Sequence, residues 1–277
     1  MLEHAATMID LHSHSTCSDG ALAPAQLVRE ATKRGVQVLA LTDHDTTAGL
    51  AEAFAEAHAQ GISMIAGVEF TVDAIGIEIH MLGLGIDPAN VQLQRLCTEI
   101  RSRRRTRFFE MIARLRAAGL PIRDPDLPNE MALARPLLAR ILIEQGFVQS
   151  HSEAFERYLR KGCPGYVEHN RLGMKHAIDA IHTAGGLAFV AHPGLYQRGD
   201  EIVFEARRLG MDGIEVYHSD HKHDVQEHYL SLARKLDLLV SGGADFHGPE
   251  HPRSVNFGKR GCPPAEFERI QAALSRS

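Results

Sequence analysis

The chain has 277 residues, of which 44% are hydrophobic and 23% are charged, as in an ordinary globular protein. This length and composition exclude a disulfide-stapled miniprotein, a collagen-like chain and a largely disordered one. No apolar run reaches the roughly 18 residues of a membrane span, and residues 1–9 lack a signal-peptide pattern. The formal charge of −5 disfavours non-specific binding to nucleic acid, and we expect a cytoplasmic protein.

Cysteine and histidine usage narrows the chemistry further. The cysteines Cys17, Cys97, Cys163 and Cys262 lie far apart and form no CxxC pair, so we expect reduced thiols. The chain also contains 17 histidines that form no continuous tract. Such a surplus of scattered histidines prompts a search for metal ligands.

Strand and helix patterns alternate along most of the chain. The predicted strands are 8–12, 36–42, 62–68, 77–84, 187–191, 213–217 and 238–241. The predicted helices are 24–34, 47–60, 90–118, 136–145, 152–161, 174–183, 200–209, 224–236 and 264–275. Strands separated by helical stretches of about 10 to 15 residues indicate βαβ units and a parallel sheet.

The alternation is interrupted between about residues 90 and 165, where no strand pattern occurs. We therefore expect a helical insertion over residues 90–166 that caps the site and divides an α/β barrel into residues 8–89 and 167–277. About seven strands alternating with helices favour a distorted (β/α)7-type barrel. A doubly wound open sheet is the alternative, but no glycine-rich phosphate fingerprint follows the first strand.

Histidines and acidic residues follow several of the predicted strands. His12 and His14 form an H-x-H pair after the first strand, and Asp245 and His247 form a D-x-H pair after the last. Positions i and i+2 of an extended chain point the same way, so each pair can reach one ion. Further candidates at or near strands are Asp43, His44, Glu69, His80 and His192. Because the C-terminal ends of barrel strands form one rim, we expect one cup suited to Zn²⁺, Mn²⁺ or Fe²⁺.

Several motifs resemble those of the polymerase and histidinol phosphatase (PHP) family, a branch of the amidohydrolase superfamily. They are Asp10-Leu-His-Ser-His-Ser, Ser18-Asp-Gly, Leu41-Thr-Asp-His-Asp, Gly67-Val-Glu-Phe, Ala191-His-Pro-Gly and Gly243-Ala-Asp-Phe-His-Gly. The resemblance implies a distorted β/α barrel that binds two to three divalent ions, usually Mn²⁺, with Zn²⁺ or Fe²⁺ as alternatives. It also implies a set of metal ligands, which here are His12, His14, Asp19, His44, Glu69, His80, His192, Asp245 and His247.

A finer resemblance concerns the 3′,5′-nucleotide bisphosphate phosphatases and related 5′→3′ exoribonucleases of this family. It rests on the helical insertion, on Ala134-Arg-Pro, on Ile181-His-Thr-Ala-Gly-Gly, and on Gly213-Ile-Glu-Val-Tyr followed by His218. It implies removal of the 3′-phosphate from molecules such as adenosine 3′,5′-bisphosphate, giving AMP and phosphate, by attack of metal-bound hydroxide. The chain departs from relatives at Ala134-Arg-Pro-Leu, where they often carry Ser-Arg-Pro-His. The alternatives are an exoribonuclease that acts on short 5′-phosphorylated RNA, and a non-catalytic PHP binding module.

Charge independently favours a phosphoesterase. Three divalent ions and three ligand carboxylates leave about +3 in the cup, which would attract a nucleotide bisphosphate of roughly −3 to −4. Two such ions can hold the attacking and leaving oxygens, and Glu69 is the natural bridging ligand. We expect Glu69 and Asp245 to be catalytic. His218, with its neighbours Asp220 and His221, is a candidate to protonate the leaving oxygen.

Two arginines of the insertion are candidate substrate ligands. Helical spacing puts Arg104 on the apolar stripe of its helix, and an inward-facing guanidinium needs an anionic partner such as a phosphate. Arg135 precedes Pro136, the predicted first residue of a helix, so the side chain and the helix N-terminus could share an anion. We expect both arginines to bind the 5′-phosphate of a bisphosphate. The expected partners are therefore a small nucleotide or short RNA, with no membrane and no obligate protein partner.

Overall fold

The computed structural model describes residues 7–125, 133, 135–168 and 171–276. The described residues form two compact units. The first unit contains the chain up to Cys97 together with the chain from Arg171 onward. The second unit contains the described residues from Thr98 to Asn170, so the long helix that begins at Val91 starts in one unit and ends in the other.

A sheet of eight strands forms the centre of the first unit. The strands are β1 (Met8–Asp10), β2 (Val36–Leu41), β3 (Ser63–Ala74), β4 (Ile77–Leu84), β5 (Leu172–Gly173), β6 (Leu187–Val190), β7 (Gly213–His218) and β8 (Leu239–Gly243). Their order in the sheet is β1-β2-β3-β4-β6-β7-β8, and β5 pairs with β3. The strand patterns thus predicted every strand except the two-residue β5, which is too short to show a period.

Helices follow most of these strands. They are α1 (Pro24–Lys33), α2 (Leu50–Gln60), α3 (Val91–Ala117), α4 (Arg135–Glu144), α5 (His151–Ala154), α6 (Met174–Thr183), α7 (Gly199–Arg208), α8 (His223–Lys235) and α9 (Pro264–Leu274). A π-helical turn (Phe155–Leu159) continues α5, and short 3₁₀ helices occupy Pro193–Leu195 and Pro252–Val255. None of the helices in the described residues is long and apolar enough to cross a membrane.

The α/β class is confirmed, but the prediction of a wholly parallel sheet is wrong at β4. The β1–β2, β2–β3, β6–β7 and β7–β8 pairs are parallel, whereas β4 runs antiparallel to both β3 and β6. Only Ile75 and Gly76 separate β3 from β4, and both have positive φ (49° and 79°). A two-residue connection of this kind makes a hairpin, since a parallel return needs a crossover of a dozen or more residues.

The two ends of the sheet meet through isolated contacts. The backbone N–H of Leu11 donates to the carbonyl oxygen of Gly242 at 3.1 Å, and Ser13 pairs with Phe246 as a single parallel bridge. The described residues of β1 and β8 form no continuous ladder. This arrangement is the distorted barrel that the strand count predicted; among the described residues, single backbone contacts join its first and last strands, and no continuous ladder closes it.

Each unit has its own apolar core. In the first, Ile9, Leu82 and Phe189 of the sheet pack with Phe267 and Ile270 of α9. In the second, the core contains Phe108, Met111 and Leu115 of α3 together with Leu138 and Leu142 of α4. The apolar stripe predicted for α3 is therefore confirmed. The four cysteines are free thiols, as predicted.

Candidate metal centre

Strands, and the loops that follow them, place the predicted ligands around one carboxylate of the first unit. Glu69 lies within β3 and is almost fully buried. Its Oε2 lies 3.2 Å from a ring nitrogen of each of His12, His14 and His44. Its Oε1 lies 3.1 Å from Nδ1 of His80 and 3.6 Å from Nε2 of His192. Five predicted ligands therefore converge on the residue that was predicted to bridge the ions.

Asp245 completes one side of this arrangement. Its Oδ1 lies 3.1 Å from Nε2 of His14 and 3.3 Å from Nε2 of His12. With Oε2 of Glu69, these atoms form a group of four whose N···O separations are 3.1–3.3 Å. Metal–ligand bonds of about 2.0–2.2 Å give ligand separations of roughly 2.8–3.1 Å between neighbours in octahedral sites and roughly 3.3–3.6 Å in tetrahedral sites. The spacing of the group therefore suits one divalent ion.

Asp19 lies on the opposite, more exposed side of the cluster. Its carboxylate is 3.3 Å from Nε2 of His247 and 3.6 Å from Nε2 of His44. The Asp19 side chain is 50% exposed, in contrast to the buried Glu69. All nine predicted ligands thus lie in the same cluster of the first unit.

Unpaired buried atoms test whether these residues suit a metal. Several ring nitrogens and carboxylate oxygens are buried and make no hydrogen bond to the described residues: Nε2 of His12 and His14, Nδ1 of His44 and His192, both oxygens of Glu69 and Oδ1 of Asp245. Buried polar atoms are nearly always paired, so this concentration indicates a cationic partner. Three groups can hold an ion: His12, His14 and Asp245; His44, Glu69 and His80; and His14, Asp19, His44 and His247. The mixed imidazole and carboxylate donors suit divalent transition metals.

The backbone is strained where it presents two of the candidate ligands. His192 and Asp245 are non-glycine residues with positive φ, 31° and 52° respectively. Such conformations cost on the order of 1–3 kcal/mol each and persist where the surroundings hold them. Gly243 permits the close approach of β8 to the segment that follows β1, because a Cβ there would lie 2.4 Å from the backbone nitrogen of His12.

Glu215 is a functional residue that the sequence reasoning missed. It is fully buried in β7, its Oε1 lies 3.0 Å from Nδ1 of His12, and its Oε2 accepts a hydrogen bond from the backbone N–H of His192 at 2.9 Å. Burial acts to raise the pKa of Glu215, but the neighbouring His12 outweighs it and lowers the pKa to about 2. The ionised carboxylate therefore holds a proton of His12 on Nδ1, so Nε2 is the nitrogen that would bind a metal. The signal for Glu215 in the sequence was a single acidic residue within an otherwise largely apolar strand.

Asp43, a candidate after the second predicted strand, is hydrogen-bonded to the loop that follows β1. Its Oδ1 accepts hydrogen bonds from the backbone N–H of Ser15 at 2.7 Å and from the Ser18 hydroxyl at 2.6 Å. Its Oδ2 accepts one from the Ser15 hydroxyl at 2.6 Å. Asp43 therefore fixes the loop that carries Asp19, and its effect on the cluster is indirect.

Asp10 connects the segments that follow β1 and β8 through hydrogen bonds. Its carboxylate accepts hydrogen bonds from the backbone N–H groups of His12 at 3.2 Å and Ala244 at 3.1 Å. Burial raises the pKa of Asp10 to about 7. The residue thereby holds the two segments that carry the H-x-H and D-x-H pairs side by side.

Without a metal, some imidazoles of the cluster stay protonated near pH 7 and others do not. Burial acts to lower the pKa of His14, but Asp245 and Glu69 outweigh it and raise the pKa to about 10. His44, by contrast, is left with a pKa of about 3 because burial dominates. A metal that binds through Nε2 of His14 must therefore displace a proton.

His218 makes contacts that differ from those expected of a leaving-group acid. Its Nδ1 accepts a hydrogen bond from the backbone N–H of Asp220 at 3.1 Å, so the proton lies on Nε2, 3.3 Å from Oδ2 of Asp245. His221 is fixed as well: its Nδ1 donates to the carbonyl oxygen of Val216 at 2.8 Å, and its Nε2 accepts from the backbone N–H of Gly194 at 3.1 Å. Both ring nitrogens of His221 are therefore occupied, which removes it as a candidate acid. The role of His218 stays a prediction.

The two predicted substrate arginines belong to the second unit. Arg104, in α3, and Arg135, at the start of α4, are both half-buried. The guanidinium of Arg135 lies over the ring of Phe155, with its carbon 5.7 Å from the ring centroid. Their role toward a substrate stays a prediction.

The fold and the cluster together define a distorted α/β barrel that carries a cluster of imidazoles and carboxylates suited to divalent metals. The sequence profile of the PHP domain family matches residues 10–237, and the chain belongs to this family. The family membership and the distorted-barrel architecture predicted from the motifs are thereby confirmed.

Three relatives illustrate this membership. A 3′,5′-nucleoside bisphosphate phosphatase of Chromobacterium violaceum is 40% identical over 87% of each chain. A 5′-3′ exoribonuclease of Haemophilus influenzae is 36% identical over 87% of this chain and 90% of the relative. A solved structure from Bifidobacterium adolescentis, assigned as a metal-dependent phosphoesterase, is 30% identical with a TM-score of 0.84 over 97% of each chain.

Proposed function

We propose that the protein is a metal-dependent phosphatase that removes the 3′-phosphate from nucleoside 3′,5′-bisphosphates. The observation that carries this proposal is the convergence of five imidazoles on the two buried, unpaired oxygens of Glu69. The similarity to the phosphatase from Chromobacterium violaceum, over most of both chains, supports the choice of substrate. A nucleotide substrate also agrees with the cytoplasmic location predicted from the sequence.

We assign the ions to the nine clustered residues. His12, His14, Glu69 and Asp245 would hold one ion. We assign a second to Glu69, His80 and His192, because ring nitrogens of both histidines face Oε1 of Glu69, at 3.1 and 3.6 Å. His44 fits two of the three groups, and its contact with Asp19 assigns it to the third ion. Asp19, His44 and His247 would hold a third. We propose Mn²⁺ as the native metal, because mixed nitrogen and oxygen donors accept it readily, with Zn²⁺ or Fe²⁺ as alternatives. When bound, such ions lower the pKa of a coordinated water and stabilise the charge on phosphate oxygens.

The residues of the chain supply charge balance and orientation. Three ions with the ligand carboxylates Asp19, Glu69 and Asp245 leave about +3, and the buried carboxylate of Glu215 reduces this to about +2. The guanidinium of Arg253, which pairs with Asp245, adds one positive charge, and Asp220, its second partner, offsets it, so the total stays at about +2. A cup of this charge attracts a bisphosphate although the protein as a whole carries −5.

The remaining assignments concern the leaving group and the second phosphate. His218 is the proposed source of the proton for the leaving oxygen; its Nε2, which lies 3.3 Å from Oδ2 of Asp245, would have to turn from that carboxylate towards the leaving oxygen. Arg104 and Arg135 are the proposed ligands of the 5′-phosphate, since each can form charge-assisted hydrogen bonds to phosphate.

A comparison of substrates tests the proposal. The full chain, reconstituted with Mn²⁺, is assayed for phosphate release from adenosine 3′,5′-bisphosphate, 3′-AMP and 5′-AMP. Metal-stripped protein serves as the control. We expect the bisphosphate to give the highest kcat/KM, with AMP as the product and no activity without metal. Equal rates on 3′-AMP and the bisphosphate, or release of the 5′-phosphate, would contradict the proposed specificity.

The second candidate function is a 5′→3′ exoribonuclease on short 5′-phosphorylated RNA. The similarity to the exoribonuclease from Haemophilus influenzae favours it, and the same cluster could act on a phosphodiester. An RNA of about four nucleotides, supplied with either a 5′-phosphate or a 5′-hydroxyl, separates the two functions. Release of 5′-mononucleotides from the phosphorylated RNA, faster than phosphate release from the bisphosphate, would establish the exoribonuclease as the main activity.

A further inference from the structure

Arg253 lies at the edge of the metal cluster and was not among the predicted site residues. It belongs to the 3₁₀ helix Pro252–Val255, which follows the loop after β8. Its Nη1 donates a hydrogen bond to Oδ2 of Asp245, and its Nε donates to Oδ2 of Asp220 at 2.7 Å. Because the other oxygen of Asp245 faces His12 and His14, a single carboxylate separates the guanidinium from the proposed ligands.

The guanidinium of Arg253 is held in place by two aspartates, but these do not use all of its hydrogen-bond donors. Of its three nitrogens, Nε and Nη1 are used by the two aspartates, whereas Nη2 makes no hydrogen bond within the described ranges. The Arg253 side chain is 22% exposed, so Nη2 can be reached from solvent. The N–H groups of Nη2 are thus available beside the cup, on a fixed, planar cation, to donate a charge-assisted hydrogen bond to a phosphate oxygen.

The segment around Arg253 is attached to the cluster at a second point. Nδ1 of His251 accepts a hydrogen bond from the backbone N–H of Arg253 at 3.3 Å. The His251 ring lies 5.1 Å from the ring of His247, a proposed ligand. Among the ion pairs of the described residues, Arg253 is also the one arginine or lysine that contacts a proposed ligand.

We propose that Arg253 binds an oxygen of the phosphate group that the metal centre processes. This inference rests on the proposed function and adds to it a ligand for the transferred phosphate, separate from the arginines assigned to the 5′-phosphate. An ion held by Asp245 would share the charge of this carboxylate and so weaken its attraction for the guanidinium. Asp220 then keeps Arg253 in position while its free N–H groups contact the phosphate.

Binding of inorganic phosphate tests this assignment without turnover. Phosphate is titrated calorimetrically into the full chain reconstituted with Mn²⁺, and the Mn²⁺ content is measured by elemental analysis after desalting. We compare the wild type with Arg253→Gln and Arg253→Lys. Arg269→Gln is the matched control, because Arg269 is an exposed arginine of the same unit that pairs with Glu266.

We expect Arg253→Gln to weaken phosphate binding by about tenfold to a hundredfold, and Arg253→Lys by less, because lysine keeps the charge but loses the fork of donors. Mn²⁺ content should match the wild type in both, and Arg269→Gln should bind phosphate normally. If Arg253→Gln fails to fold, Arg253→Lys carries the test. Phosphate affinity within about twofold of the wild type in the folded variants would overturn the proposal. A parallel loss of Mn²⁺ would overturn it too, because Arg253 would then act by positioning Asp245.

The wild-type protein separates this inference from the proposed function. If the wild type binds phosphate, the variants bind it weakly and no nucleotide bisphosphate is hydrolysed, the proposed substrate is wrong and the assignment of Arg253 holds. If the wild type hydrolyses the bisphosphate and the variants bind phosphate normally, the proposed function holds and the assignment of Arg253 is wrong.

Discussion

The substitution Glu215→Gln isolates the contribution of a residue that contacts the ligands without being one. The carboxylate faces two N–H donors, Nδ1 of His12 at 3.0 Å and the backbone nitrogen of His192 at 2.9 Å. An amide of the same volume has one oxygen and one NH₂ group, so it can accept from only one of them. Either His12 moves its proton to Nε2 and loses its metal-binding lone pair, or a buried N–H of His192 is left facing another donor.

Loss of such an orienting partner typically lowers metal affinity by about 10–100-fold, or about 1.4–2.7 kcal/mol. We expect Glu215→Gln to shift the Mn²⁺ dependence of activity by that factor, with kcat largely restored at saturating Mn²⁺. The assay is a Mn²⁺ titration of bound metal and of phosphate release. Glu201→Gln is the control, since Glu201 is exposed and pairs with Arg198. A titration that superimposes on that of the wild type would refute the role of Glu215.

Three further predictions follow from the same cluster. Glu69→Gln keeps the volume of the side chain but removes the charge proposed to bind two ions, so kcat should fall by about a thousandfold or more. Glu201→Gln is the control, and near-normal turnover of Glu69→Gln would exclude Glu69 as the ligand that bridges the ions. Because the pKa of His12 is raised well above its usual value and that of His14 is raised to about 10, Mn²⁺ binding at pH 7 should release about one to two protons per chain, and affinity should fall as the pH is lowered. Calorimetry in buffers of different ionisation enthalpy measures this release, and identical heats after dilution correction would contradict it. Arg104→Ala and Arg135→Ala should each lower kcat/KM for the 3′,5′-bisphosphate by about tenfold to a hundredfold, with little change in kcat/KM for 3′-AMP. Equal losses on both substrates would show that the arginines do not bind the 5′-phosphate.

The sequence contained enough information for the elements and for the ligand types. Alternation of strand and helix patterns predicted the α/β class, and β4 and α6 have the predicted bounds. The H-x-H and D-x-H pairs predicted a shared direction for their side chains, because the two-residue period of an extended chain is a local property. His12, His14 and Asp245 do meet at one point.

Contacts between distant elements were beyond the sequence alone. Periodicity indicates which face of a strand a side chain occupies, but it does not indicate which strand lies opposite. The antiparallel direction of β4 was therefore decided by the pairing of the sheet, and with it the approach of His80 to Glu69. Glu215 and His12 lie 203 positions apart, and their hydrogen bond exists because the two ends of the sheet meet. A buried charge in a strand signals that a partner must exist, whereas the identity of that partner is decided by the tertiary fold.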